Sequence, residues 1–299
     1  MTPSPEFTRL LEILKTQRAQ PGVPVAALRA AHEKAHASRP PATDVAVQPV
    51  DARGVPAEFS TAADSLSDRT LIYLHGGGYV LGSLNTARPF AAELARASGA
   101  RVLSVGYRLA PEFPYPAAVE DSVAAYQYLL DLGAHPNDIA LCGDSAGAGL
   151  AVATLVSLRE MAVDLPAACV CLSPWTDLAM EGRSFHTNAE RDPQVNRTML
   201  AEMASAYGAG EDLSAALLSP VHADLNGLPP MLIQVGDAEA LLDDGLVFAE
   251  RAAACGVNVT TRVWNDMTHV WQMYAPRLPE ARNAVREIAD WLQAVWAAT

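Results

Sequence analysis

Gly143-Asp144-Ser145-Ala146-Gly147 fits the pattern Gly-x-Ser-x-Gly and stands between a strand-like run, Ile139–Cys142, and a helix-like run, Ala146–Met161. A serine at such a strand–turn–helix corner is lifted out of the sheet beside a helix N-terminus. Glycines two residues away on each side remove side chains that would clash in the tight turn. The hydroxyl is then placed to attack a carbonyl carbon. Acyl transfer of this kind builds negative charge on the carbonyl oxygen, and His75-Gly76-Gly77-Gly78, directly after the strand-like run Thr70–Leu74, is the candidate for holding it. Glycines let backbone N–H groups come close to an oxyanion, so Gly77 and Gly78 are the expected donors, with the N–H of Ala146 as a third. A phosphate-binding loop is the other chemistry such glycines serve. This run has neither the Gly-x-Gly-x-x-Gly spacing nor the Gly-Lys-Ser/Thr ending of one.

A hydroxyl nucleophile needs a base, and the base needs an acid to orient it. His269, in Asn265-Asp266-Met267-Thr268-His269 after the last strand-like run, is the expected base. His32, His36, His135, His186 and His222 read as surface or packing histidines, and His75 as a loop-orienting residue. The acid is expected on the loop after Met231–Val235, where Asp237, Glu239, Asp243 and Asp244 compete. Asp243 and Asp244 are expected to open the next helix, where its dipole favours anions. Asp237 lies immediately past the strand, and Glu239 reaches from further along on a longer stem. The chain order serine, acid, histidine is that of the α/β-hydrolases.

The elements that must position these groups alternate. Strand-like runs at Thr70–Leu74, Arg101–Val105, Ile139–Cys142, Ala168–Leu172, Met231–Val235 and Val257–Val263 are separated by helix-like runs at Thr86–Ala97, Ala118–Leu132, Ala146–Met161 and Leu241–Cys255. A last helix is expected from Glu280 to Trp296, and further strands at Val45–Val50 and Ala57–Ser60. Apolar strands alternating with helices imply a parallel sheet covered on both faces. Two segments break the rhythm. Pro5–Ala37 has helical spacing (Phe7, Leu10, Leu11, Leu14) interrupted by Pro21 and Pro24, and the stretch between Leu172 and Met231 shows no strand but a helical patch at Met199–Tyr207. A long insertion after a strand's carboxyl end overhangs the ligand crevice of such a sheet. Residues 1–38 and 180–215 are therefore expected to form a helical cap, and 39–179 with 216–299 the catalytic domain.

Taken together, His75-Gly76-Gly77-Gly78-Tyr79, Tyr107-Arg108-Leu109-Ala110-Pro111-Glu112, Gly143-Asp144-Ser145-Ala146-Gly147 and the His269 segment resemble the bacterial hormone-sensitive-lipase-like (family IV) esterases. The resemblance runs from about residue 40 to the end, and the N-terminal helices match that family's cap. It implies an α/β-hydrolase fold, with a mostly parallel sheet of about eight strands, flanking helices and a helical cap. It also implies hydrolysis of short- to medium-chain acyl esters. Family members usually carry Asp-Pro-Leu at the acid position, where this chain has Glu239-Ala240-Leu241. The departure points to Glu239, with Asp237 as the alternative. Arg108 and Glu112 are expected to hold the loop under the oxyanion site, and Trp175-Thr176-Asp177 to form pocket wall and cap hinge.

Composition narrows the classes further. The chain has 299 residues, half of them hydrophobic, and a net charge of −13. A chain so acidic repels nucleic acid. Cys142, Cys169, Cys171 and Cys255 form no CxxC or Cys/His cluster and read as reduced, structural thiols, and no metal or cofactor is expected. Charges interrupt the N-terminal apolar residues, and the longest uncharged apolar run, Ala146–Leu158, is too short to span a bilayer. No membrane insertion is expected, and the expected compartment is the cytoplasm. A lactonase or an acyltransferase would use the same site, whereas a non-catalytic binding protein would be expected to lose one of Ser145, Glu239 and His269. The last strand-like run, Val257–Val263, is expected at a sheet edge, where a second copy can pair with it as a homodimer.

Overall fold

The computed structural model describes residues 3–16, 22–37, 42–65 and 68–298. Parts of the expected cap segment, including Met1, Thr2, Pro21 and Ser38, lie outside them. Two helices come first, α1 (Pro5–Thr16) and α2 (Val25–Ala37), followed by the hairpin β1 (Val45–Ala52) and β2 (Val55–Ala62). The alternation then runs β3 (Thr70–Leu74), α3 (Leu84–Ser98), β4 (Arg101–Val105), α4 (Ala117–Asp131), β5 (Ile139–Asp144), α5 (Ala146–Glu160) and β6 (Ala168–Leu172). After an excursion carrying α6 (Ser184–Thr187) and α7 (Arg197–Gly208) it resumes as β7 (Met231–Gly236), α8 (Leu242–Ala254), β8 (Val259–Trp264) and α9 (Pro279–Ala298).

The eight strands form one sheet in the order β1-β2-β4-β3-β5-β6-β7-β8. Only β1–β2 and β2–β4 are antiparallel. This is the α/β-hydrolase fold. Strands β3, β5, β6 and β7 are buried along their whole length. Helices cover both of their faces, which is why they read as unbroken apolar runs. One core holds Val119 and Leu129 of α4, Leu150 and Leu155 of α5 and Phe248 of α8. The opposite core holds Phe90 and Leu94 of α3 with Ile288 and Leu292 of α9. Phe90 is fully buried, and truncating such a side chain to alanine costs about 3–5 kcal/mol.

The element boundaries differ from the sequence reading where capping and pairing extend them. Helix α3 starts at Leu84, ahead of the expected Thr86. The Ser83 side chain accepts from the Thr86 N–H while the Thr86 hydroxyl accepts from the Ser83 N–H, forming a capping box. Strand β5 runs on to Asp144, directly before the nucleophile candidate. Strand β8 begins at Val259, two residues late, and is the edge strand that its place in the chain suggests.

The chain leaves β3 toward β4 on one side and continues through β5 on the other. Adjacent parallel strands whose connections diverge open a crevice at their carboxyl ends. Leu74 pairs with Gly143 across β3 and β5, so the glycine-rich loop and Ser145 leave the sheet side by side. Helix α1 packs elsewhere. Its Phe7 is buried in the core beneath α9, and the Ser4 N–H donates to Glu280 Oε1 at 2.6 Å.

Candidate active site

Ser145 occupies the corner between β5 and α5 with φ 55° and ψ −122°. That conformation is strained for a residue with a side chain and persists only where the surroundings impose it. Here they do. The Ser145 N–H donates to Leu172 O at 2.8 Å, and its carbonyl accepts from Trp175 N–H at 3.0 Å. The flanking glycines are required by close approach. A Cβ on Gly143 would lie 2.1 Å from Gly147 O, and one on Gly147 would lie 2.0 Å from Leu74 O.

The loop beyond β7 turns Glu239 inward and Asp237 outward. Glu239 is fully buried, with Oε2 2.9 Å from His269 Nδ1 and Oε1 accepting the Gly236 N–H at 2.6 Å. Asp237 accepts instead from Arg191 and from the Asp266 N–H, both at 2.9 Å, and is not brought to His269. Asp243 and Asp244 lie in the first turn of α8, as expected. Asp244 is buried and accepts from the N–H groups of Thr176 and Asp177, tying α8 to the chain after β6. Burial pushes the Glu239 carboxyl above its ordinary pKa, while the bonds from His269 and Gly236 pull it back. For His269 burial works downward, but hydrogen bonding and charge from Glu239 outweigh it, and the net shift is above 6.5.

The excursion after β6 braces this acid loop. Asn188 Nδ2 donates to the carbonyls of Asp237 and Glu239 at 3.0 and 2.9 Å. The Ser184 hydroxyl donates to Ala240 O, and fully buried Asp192 accepts the Ala240 N–H at 2.8 Å. No motif in the sequence singles out Asn188 or Asp192.

On the other side of Ser145, the glycine-rich loop leaves β3. Among the described residues no turn or loop hydrogen bond uses the N–H of Gly77 or Gly78. His75 Nδ1 lies 2.8 Å from Gly76 O and its ring stacks on Tyr107 at 4.4 Å, consistent with a loop-orienting part. Arg108 does not hold this loop. It pairs with Asp121 and Glu120, anchoring the start of α4. Glu112 acts through Arg29 of α2, which also donates to the carbonyls of Val80 and Ala110. Trp175 is fully buried behind the nucleophile and forms no wall of the cavity that Ser145 faces.

That cavity measures about 300 Å³ and is lined by Ser145, His269, the His75–Gly78 loop, His32 of α2, and Met199 and Met203 of α7. His32 reads from sequence as a surface or packing residue, but the structure brings α2 across the site. Spacing within a helix does not reveal which neighbour its face will meet. The Met203 side chain lies so close to Gly78 that a Cβ there would fall 2.2 Å from its sulfur. Hollows of about 410 and 510 Å³ open elsewhere on the surface, but neither contains Ser145 or His269. Among the described residues no group of three or more His, Cys, Asp or Glu side chains is placed to hold a metal ion.

A serine on a strained strand–helix corner, at the carboxyl edge of a mixed sheet whose later loops carry an acid and a histidine, defines the α/β-hydrolase class. The model of a family described as alpha/beta hydrolase fold matches residues 71–273. An acetyl-hydrolase of Streptomyces hygroscopicus is 50% identical over 225 residues, 75% of this chain and 75% of its own. Carboxylesterase NlhH of Mycobacterium tuberculosis is 35% identical over 72% of this chain and 70% of its own. The crystal structure of an esterase from the bacterial hormone-sensitive lipase family matches with a TM-score of 0.96 and 47% identity, covering 99% of this chain and 100% of that one. The chain belongs to the bacterial hormone-sensitive-lipase-like esterases, and it is a carboxylic ester hydrolase.

Proposed function

We propose that the protein hydrolyses short- to medium-chain acyl esters through a Ser145–His269–Glu239 triad and an acyl-enzyme. His269 Nε2 takes the Ser145 proton as the serine oxygen bonds to the ester carbonyl carbon. The N–H groups of Gly77, Gly78 and Ala146 hold the oxyanion. His269 then gives that proton to the departing alcohol. Water, deprotonated by the same imidazole, adds to the acyl carbon, and collapse returns Ser145 and frees the carboxylic acid. Glu239 keeps the Nδ1–H tautomer and stabilises the imidazolium. The observation that carries this reading is the bond between Glu239 Oε2 and His269 Nδ1 beside a cavity that Ser145 and His269 share.

Of the proposed cap, residues 1–38 and 180–215, it is α2 and α7 that reach the cavity, while α1 packs beneath α9. Helix α2 contributes His32, and α7 contributes Met199 and Met203, to the cavity, whose volume of about 300 Å³ favours small acyl groups. The name of the Streptomyces relative points to small acyl groups too. Among the described residues no helix is long and apolar enough to cross a membrane, and the free buried thiols of Cys142, Cys169 and Cys171 suit a reducing, cytoplasmic compartment.

The test is a series of p-nitrophenyl acyl esters of increasing length, run beside several lactones and with added alcohols. The expected result is fastest turnover of the short esters with water as acceptor. Faster opening of lactones, or predominant transfer to the alcohol, would overturn the assignment.

A further inference from the structure

The residue between the nucleophile candidate and its strand is a buried carboxylate that the reaction steps above do not use. Asp144 is 3% exposed and lies against the cavity beside Ser145. Its Oδ1 accepts two hydrogen bonds, from Tyr73 Oη at 2.6 Å and from the Gly76 N–H at 2.9 Å. The Gly76 N–H belongs to the same peptide unit as the His75 carbonyl, and that carbonyl accepts from Tyr107 Oη at 2.6 Å. One peptide plane is thus clamped at both ends by fully or nearly buried side chains from two different strands' carboxyl ends. The next two residues are Gly77 and Gly78.

The clamp is tight. A Cβ on Gly76 would fall 2.3 Å from Asp144 Oδ2, so the glycine is what admits the carboxylate. Its consequence is directional. A peptide unit can rotate about its flanking single bonds, and turning this one would swing the following N–H groups away from the Ser145 side of the cavity. With its N–H and carbonyl both engaged, it cannot turn without breaking a buried hydrogen bond, which leaves an unpaired buried group. Burial also pushes the Asp144 carboxyl above its ordinary pKa, against the pull of the Tyr73 and Gly76 bonds.

We infer that Asp144 and Tyr107 are positioning residues that fix the His75–Gly76 peptide plane and thereby aim the Gly77 and Gly78 N–H groups at the developing oxyanion. The inference rests on the oxyanion-site reading under Proposed function. It makes the hydrogen-bonding shape of Asp144, rather than its charge, the property that matters. An asparagine retains an Oδ1 that can accept from both Tyr73 and Gly76, whereas an alanine retains neither bond.

The experiment measures kcat and KM for Asp144→Ala, Asp144→Asn, Tyr107→Phe and the Asp144→Ala/Tyr107→Phe double variant. Each rate is expressed per active site titrated with a serine-directed phosphonate, so that a merely destabilised protein is not counted as slow. Asp144→Ala is expected to lower kcat roughly 100-fold, the scale of a misplaced catalytic contact. KM should shift far less, because the donors act in the transition state. Asp144→Asn should recover most of that loss. Tyr107→Phe should lower kcat by a smaller factor, and the double variant should fall short of the product of the two losses, because both act on one peptide unit. Undiminished kcat in Asp144→Ala overturns the proposal, as does an Asn variant as slow as the Ala variant, or strictly multiplicative losses. Should Asp144→Ala fail to fold, Tyr107→Phe carries the test, and an unchanged kcat there is equally fatal. Phosphonate labelling of the wild-type chain at a residue other than Ser145 would instead overturn the underlying site assignment.

Discussion

Glu239 Oε2 meets His269 Nδ1 at 2.9 Å, although the two residues come from loops after different strands. Glu239 also accepts the Gly236 N–H, which fixes the carboxylate on the end of β7 and leaves one oxygen for the imidazole. The carboxylate two residues nearer to the strand, Asp237, is spent on Arg191 and the Asp266 backbone.

Glu239→Gln should therefore cost far more activity than Asp237→Asn. The amide presents an N–H to Nδ1 and favours the wrong tautomer, and the equivalent change in another triad costs roughly 10⁴ in kcat. Steady-state kinetics of both variants decide the matter, and a slower Asp237→Asn enzyme would move the acid to Asp237.

Ser145→Ala should abolish turnover with the fold intact, a loss on the order of 10⁶ in kcat for a triad nucleophile. Circular dichroism and melting temperature check the fold. Peptide mass spectrometry of phosphonate-treated wild type should find the label on Ser145.

The acid limb of the kcat/KM profile should lie above pH 6.5, the ordinary histidine value, because Glu239 raises the His269 pKa more than burial lowers it. The base works in its neutral form, so activity falls as pH drops through the raised value. NMR titration of the imidazole C–H signals should show the same value in the free enzyme and a lower one in Glu239→Gln. A wild-type His269 that titrates below 6.5 would contradict the electrostatic account.

Removal of residues 1–38 takes away His32 and the Arg29 contacts to Val80, Ala110 and Glu112. The truncated enzyme should lose roughly tenfold or more in kcat/KM, about 1.4 kcal/mol of transition-state stabilisation. Its ratio of rates across the ester series should change as well. A soluble truncation with a lower melting temperature but the wild-type ratio would mean that these helices serve stability alone.

Strand β8 is a sheet edge, and its Val263 is 47% exposed. A sheet edge can pair with a second copy, and we propose a two-fold dimer through β8 as the closed assembly. Light scattering at micromolar concentration should report a dimer that Val263→Lys weakens. A wild-type monomer under those conditions would rule the pairing out.

The features legible in the sequence were those set by local chemistry. The strand–Gly-x-Ser-x-Gly–helix corner around Ser145, the glycine run at Gly76–Gly78 and the alternation of apolar strands with helices each depend on residues near one another in the chain, and periodicity and turn sterics expose them directly. The choice between Asp237 and Glu239 was narrowed only by a family pattern that this chain breaks. The structure separates the two because the direction of each side chain depends on how β7, β8 and the excursion after β6 meet. His32 at the cavity, Asn188 and Asp192 behind the acid loop, and the clamp of Asp144 and Tyr107 on one peptide unit had no sequence signal. Each depends on segments distant in the chain being packed together, and a buried polar contact takes its partner from that packing rather than from spacing along the chain.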